Sequence, residues 1–131
     1  MNISQAAKQA GLTSKALRYY ESVSLVIPGR NPNGYREYSP AEVETLRFIQ
    51  RARSSGFSVE EVGELLQLYR NPARRSHDAK LLVREKIEQV EEQLRNLKEM
   101  RSNLRALADA CAGDDSPHCA ILDQLAGGES R

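Results

Sequence analysis

The chain has 131 residues, of which 40% are hydrophobic, 5% aromatic and 28% charged. This length fits one domain, or one small domain with an appendage, and excludes a large enzyme fold; the small aromatic content predicts a modest core that association has to extend. The formal net charge of +1, taken alone, argues against a nucleic-acid protein, because such domains carry a basic excess.

The two ends of the chain give the first information on its location and chemistry. No apolar run approaches the roughly 18 residues of a membrane span, and the N-terminal residues lack the basic start and apolar stretch of a signal peptide. We therefore expect a cytoplasmic protein with no membrane partner.

Near the other end lie the only two cysteines, Cys111 and Cys119. In a reducing compartment such a pair is more often a metal or redox site than a structural disulfide.

The first two predicted helices are separated by a few residues that include a glycine. Asn2 is placed to cap the first helix and Gly11 to end it, while Thr13 or Ser14 begins a second helix that extends to Glu21. Two short helices joined in this way predict a helix-turn-helix.

A turn and a short strand follow the second helix. Residues 31–34 carry an Asn-Pro-Asn-Gly turn signal, and the alternation over residues 35–38 suits one strand of a hairpin. Two further helices, with caps at Ser39 and Ser58, each have a glutamate in capping-box position. The sequence therefore predicts a winged helix-turn-helix domain over residues 1–69.

A linker over residues 70–75 precedes a segment, residues 76–110, that contains no Gly or Pro. As a helix it is about 50 Å long, and its apolar residues recur at four-three spacing. A helix of this length cannot bury such a stripe within so small a protein, so we expect an antiparallel coiled coil with a second copy and hence a homodimer. An isolated amphipathic helix is the alternative. Residues 111–131 are predicted to form a loop, a short helix over about 120–126 and a frayed end.

The near-zero net charge conceals two unlike segments. Residues 1–56 carry eight Lys and Arg against four Glu, a net charge of +4, whereas residues 57–131 have a net charge of −3. Lys15, Arg18 and Tyr19 on the second helix would face a DNA groove, and the wing would reach the neighbouring backbone. Each charge alone is explained as well by simple solvation, but the order of the elements brings the set to one surface.

Long motifs within the chain are similar to a known family. They lie at residues 3–8, 11–21, 25–28, 33–38 and 51–58. Together they resemble the MerR family of transcription regulators over essentially the whole chain. The resemblance implies a mainly α dimer that binds a promoter palindrome and, with effector, bends and undertwists the DNA for RNA polymerase. The matching DNA-binding positions are Lys15, Arg18, Tyr19, Tyr20, Arg36 and Tyr38.

The spacing of the two cysteines suits one metal ion. Thiolates select soft ions such as Cu(I), Ag(I), Au(I) and Hg(II), and they also bind Zn(II). Zn(II) prefers about four tetrahedral ligands, which Asp114, Asp115 and His118 would have to complete. Because His118 is adjacent to Cys119, the two side chains do not easily converge on one ion. The N-terminus of the following short helix would favour the negative charge of two thiolates around a monovalent ion.

Within the family, the sequence is most similar to the copper-efflux branch. This resemblance implies linear binding of Cu(I), Ag(I) or Au(I) by Cys111 and Cys119. Ser76 stands where zinc-sensing relatives have a cysteine from the other protomer, so it implies selectivity without being a ligand; locally, it is also a candidate helix cap. The tail lacks the additional Cys and His residues of some relatives, which puts an auxiliary metal site in doubt.

Three other functions remain open from the sequence: a sensor of a divalent ion (Zn, Hg or Cd), a thiol redox sensor, and a constitutive architectural DNA binder. An enzyme is not expected, because the chain has no nucleophile–base set with an orienting third group and no phosphate-binding loop. A multidrug sensor would need a large ligand domain, and only about 20 residues follow the long helix.

Overall fold

The computed structural model describes residues 1–127 and is mainly helical, as the sequence predicts. Residues 128–131, which belong to the predicted frayed end, lie outside the described residues. The elements, in chain order, are α1 (Ile3–Ala10), α2 (Ser14–Ser22), β1 (Gly29–Arg30), β2 (Arg36–Glu37), α3 (Pro40–Ser54), α4 (Val59–Arg70), α5 (Ser76–Ala110) and α6 (Ala120–Leu125). The two strands form one antiparallel sheet.

The chain divides into two compact units, Met1–Val83 and Arg84–Arg131. In the first unit, α1 packs against α2 and α3, and α3 packs against α4. A single hydrophobic core joins these helices to the wing. Its largest fully buried side chains are Leu17, Tyr38, Leu46, Ile49 and Val62.

Side-chain caps fix the helix starts of the first unit. The predicted capping box of α1 is present, with Asn2 Oδ1 accepting from the Gln5 amide at 2.9 Å. Thr13, rather than Ser14, caps α2. Ser58 and Glu61 also form the predicted capping box. At Ser39 the capping box is incomplete. The Ser39 hydroxyl caps α3, but the Glu42 carboxylate accepts from that hydroxyl and not from the Ser39 backbone amide.

The wing is a hairpin whose register pairs Gly29 with Glu37 and Arg30 with Arg36. Its turn is closed by Asn31, whose side-chain oxygen accepts from the amides of Asn33 and Tyr35 at 2.9 and 3.1 Å. Gly34 has a φ of 83°, a left-handed conformation that favours glycine. The Asn-Pro-Asn-Gly signal therefore specifies the turn, whereas the sequence pattern did not define the first strand.

Helix α5 begins and ends at the residues that the sequence predicts, and none of its residues is buried. Its apolar stripe is 40–62% exposed from Val83 to Leu104. In the second unit, a loop joins the end of α5 to the short α6. None of the helices within residues 1–127 combines the length and apolar character of a membrane span.

Candidate DNA interface and metal-binding loop

Helix α2 carries three of the predicted DNA-binding residues on the protein surface. Lys15, Arg18 and Tyr19 are all exposed, and half of the Tyr19 surface is open to solvent. The opposite side of the helix holds Leu17 in the core. The helical period places Leu17 on one face of α2 and these polar residues on the face that does not contact the core.

Two clefts extend this surface beyond α2. Arg18 lines one cleft together with Arg30, Tyr35 and Arg36 of the hairpin and the start of α1. Lys15 and Tyr19 line the other together with Arg53, near the start of α4. Neither Arg30 nor Arg53 is among the site residues that the sequence predicts. The predicted turn could have identified Arg30, because a first strand paired across that turn places Arg30 opposite Arg36.

The guanidinium groups of the wing are held by one carboxylate of α2. Arg30 Nη2 donates to Glu21 Oε1 at 2.8 Å, and Arg36 Nε donates to Glu21 Oε2 at 3.0 Å. The Glu21 side chain is only 18% exposed, so this ion pair is partly shielded from solvent. It joins α2 to the wing.

Two of the predicted DNA-binding residues are buried in the structure. Tyr20 and Tyr38 are 6% and 2% exposed, because both rings pack in the core between the helices and the wing. Burial is the main cause that raises the pKa of the Tyr38 hydroxyl, with the Glu21 charge second. The Tyr38 backbone pairs with Met1, donating to its carbonyl at 2.7 Å and accepting from its amino group at 2.8 Å. Both tyrosines therefore belong to the core beneath the surface, and Tyr20 also lines the cleft of Lys15 and Tyr19. Their contact with DNA stays a prediction.

The two cysteines lie close together in the second unit. The sulfurs of Cys111 and Cys119 are 3.6 Å apart, and both residues are half-buried free thiols. A disulfide would require about 2.05 Å. Cys111 directly follows α5 and Cys119 directly precedes α6, so both helix ends and the connecting loop set the separation.

The start of α6 favours a thiolate at Cys119. The backbone amide of Leu122 is the main cause that lowers the pKa of this thiol, and the Cys111 thiol and the Ile121 amide act in the same direction. Partial burial and the Asp123 charge oppose the shift. The thiolate is the form of cysteine that binds metals, and these amides favour that form of Cys119.

The other candidate ligands of the loop have different neighbours. His118 is exposed, and its Nδ1 lies 4.0 Å from Asp123 Oδ2. Asp114 Oδ1 accepts from the Ser116 amide at 2.9 Å, and Asp115 is exposed. Within residues 1–127 there is no group of three or more His, Cys, Asp and Glu residues arranged to hold an ion.

Ser76 is exposed at the start of α5. It is the first residue inside the helix, so the flanking position of a cap falls on Arg75. This corrects the local interpretation of Ser76 as the cap, and it does not bear on the role that the resemblance implies.

The winged helix-turn-helix, with its exposed basic helix, defines a DNA-binding transcription regulator rather than an enzyme. Residues 1–69 match the model of the MerR HTH family regulatory proteins, and residues 43–107 match the MerR DNA-binding model. The chain belongs to the MerR family.

Known relatives place the chain near metal-dependent members of this family. It is 44% identical over 128 residues to the regulator HmrR of Rhizobium leguminosarum, covering 98% of this chain and 99% of HmrR. It is 47% identical to CueR of Salmonella typhimurium, covering 97% and 93%. The crystal structure of PbrR691 from Ralstonia metallidurans in complex with lead(II) superposes with a TM-score of 0.84 at 29% identity, covering 95% and 98%. The chain is thus a metal-responsive MerR-type regulator, similar to CueR.

Proposed function

We propose that the protein binds a promoter palindrome as a homodimer and activates transcription when Cys111 and Cys119 bind a monovalent soft ion, Cu(I), Ag(I) or Au(I). The observation that carries the choice of ion is the number of ligands: two thiols lie together, and no third ligand is gathered around them in the described chain. The genes under control would then serve metal efflux or detoxification.

On the DNA side, α2 and the wing supply the contacts. Lys15, Arg18 and Tyr19 enter the groove or hold its phosphates, and Arg36 contacts the neighbouring backbone. Arginine and lysine give both phosphate attraction and recognition of guanine edges. Arg30 lines the same cleft as Arg18 and Arg36 and adds to its positive potential.

The homodimer is supported by the apolar stripe of α5. Seven large apolar side chains of this stripe, from Val83 to Leu104, are exposed in the single chain. A continuous apolar surface of this kind marks an interface, and the four-three spacing is that of a coiled coil. An antiparallel partner helix would cover the stripe and fix the separation of two DNA-binding units, matching half-sites one helical turn or a multiple apart.

The choice between ions depends on how many ligands the site offers. A divalent ion such as Zn(II) needs about four donors, whereas the described loop offers two sulfurs. His118 lies near Asp123 of α6, and Asp114 accepts a hydrogen bond from the Ser116 amide of the loop. Ser76, in the position that the family resemblance assigns to selectivity, supplies a hydroxyl and no third thiolate, and hydroxyls are poor ligands for soft ions.

The net charge of the occupied site also favours a monovalent ion. Two thiolates around a monovalent ion leave a net charge of −1, while a divalent ion leaves zero. The backbone amides at the start of α6, which lower the Cys119 pKa, stabilise a site that stays negative when the ion is bound. A bound ion would link the two sulfurs through one metal–thiolate bond to each, and both thiols must be reduced to bind it, which agrees with a cytoplasmic location.

Activation then requires the dimer to deform its promoter. Bending and undertwisting a site costs several kcal/mol, and the DNA-binding units must be held rigidly to impose that deformation. The proposed consequence is that two promoter elements with too long a spacer become aligned for RNA polymerase. The loop at Cys111 and Cys119 biases the dimer toward the deforming state.

A divalent-ion sensor is the second candidate. Two sulfurs on one tetrahedral ion would lie about 3.8 Å apart, and two collinear bonds would place them about 4.6 Å apart. The observed 3.6 Å is nearer the first value, and PbrR691 was solved with lead(II). A tetrahedral divalent ion would need further ligands from a second protomer. Linear binding of a monovalent ion would need the two sulfurs to move apart, which a small rotation of either cysteine side chain allows.

In vitro transcription with a panel of ions distinguishes these candidates. Replacing both cysteines, Cys111→Ser with Cys119→Ser, should abolish induction and leave promoter binding intact, while His118→Ala should keep induction by Cu(I). Induction retained in the double variant would refute the sensor. Induction by Zn(II) or Pb(II) and not by Cu(I) would favour the divalent candidate, and induction by an oxidant alone would favour a redox sensor.

A further inference from the structure

We propose that Glu21 is a positioning residue that couples the recognition helix α2 to the wing, so that the two elements meet DNA as one rigid unit. The inference rests on the DNA interface proposed above and concerns how that interface is held. Glu21 need not touch DNA; it acts through Arg30 and Arg36, each of which bonds to a different oxygen of its carboxylate.

The wing needs this support because its own structure is minimal. Each strand has two residues, and an isolated two-stranded hairpin is marginal in water. The register also places Arg30 directly opposite Arg36, and like charges in that position destabilise a hairpin. A carboxylate that accepts from both guanidiniums removes the repulsion and binds the hairpin to α2.

The geometry also orients one of the proposed DNA contacts. Glu21 accepts from Nε of Arg36, so it engages the inner side of the guanidinium. In the described part of the chain, the two Nη groups of Arg36 have no other hydrogen-bond partner. They remain available in the cleft that Arg36 shares with Arg18.

The sign of the effect distinguishes positioning from simple charge. Glu21 is negative and lies among the positive groups that attract DNA, so removing its charge should by itself tighten binding to any sequence. A positioning role predicts a loss of selectivity, because a wing released from α2 no longer favours the correct site over other sequences.

Glu37 provides a matched control. It is an exposed carboxylate of the same hairpin, for which the described structure shows no ion pair or side-chain hydrogen bond.

The test compares Glu21→Gln with Glu37→Gln, which change the net charge equally. Footprinting of promoter DNA with the wild-type protein first defines the palindrome; binding is then measured to that duplex and to a scrambled one. We expect the ratio of the two affinities to fall about tenfold for Glu21→Gln and to stay within about twofold for Glu37→Gln. Arg30→Gln, which leaves the Arg36 bond in place, should lower the ratio by less.

A second measurement examines the wing without DNA. The Asn31 amide, which donates to the Tyr35 carbonyl at 2.8 Å, should exchange its hydrogen faster in Glu21→Gln, while the core amides keep their protection. Loss of protection throughout the first unit would mean that Glu21 serves only to stabilise the fold, and it would overturn the proposal.

The remaining outcomes are equally decisive. Equal effects of Glu21→Gln and Glu37→Gln on both duplexes would show that Glu21 acts as a charge alone, and only this inference would fail. If Arg18→Ala left binding to the palindrome unchanged, the proposed interface itself would be wrong, and the role of Glu21 would fall with it.

Discussion

The two units of the chain differ in whether they bury their own apolar residues. In Met1–Val83, side chains such as Leu46 and Val62 are fully buried. In Arg84–Arg131, the large apolar residues of α5 are about half exposed, as at Leu94 and Leu97. The first unit therefore buries its apolar residues within itself, whereas the apolar stripe of α5 is uncovered in the single chain. The two units thus differ in how far their own residues account for their stability.

The largest expected effect comes from placing charges on the α5 stripe. Ile87→Glu combined with Leu94→Glu should weaken dimerisation more than about a thousandfold, because each buried carboxylate would lack a partner. The matched control, Gln89→Glu with Asn96→Glu, adds the same charge off the stripe. Sedimentation equilibrium measures the dissociation constant. Equal weakening by both pairs would mean that the stripe is not the interface.

A smaller effect is expected from truncation within the first unit. Leu46 is 0% exposed, so Leu46→Ala should lower the free energy of unfolding by about 2–5 kcal/mol through lost burial and a cavity. Leu97→Ala, at a 59% exposed position, should have little effect in protein diluted below its dimer dissociation constant. Urea unfolding compares the two variants. A similar loss for both would show that the units do not differ as described.

The smallest expected effect concerns the thiols. The lowered pKa of Cys119 means that its thiolate forms at a lower pH than an ordinary thiol and is lost as pH falls through that lowered value. In Cys111→Ser, the midpoint for alkylation of Cys119 by iodoacetamide should therefore lie below that of a free cysteine peptide, because the Leu122 amide remains. An unshifted midpoint would show that α6 does not assist the site.

Local signals in the sequence predict much of the fold. Cap residues and glycines mark the helix ends, and the absence of Gly and Pro sets the bounds of α5, since these effects act within a few residues. The exposed side of α2 follows from helical period alone. The partnership of Glu21 with Arg30 and Arg36 does not, because it depends on how the hairpin folds back on the helix.

The site was predicted less completely than the fold. Tyr20 and Tyr38 match family positions, and yet the structure buries them, since an aromatic residue with a hydroxyl suits either a core or a DNA contact. The pairing of Cys111 with Cys119 follows from their spacing, whereas the amides that act on Cys119 required the position of α6. Arg53 and Arg30 joined the basic surface only through tertiary packing.

The uncovered stripe of α5 makes stability a matter of mass action. If only association covers these side chains, the population of folded sensor depends on the total concentration of the chain as well as on temperature. The melting temperature of the dimer should then rise with each increase in protein concentration. In a cell, the number of copies would set how much of the regulator is assembled before any ion arrives, and the response threshold would depend on expression level.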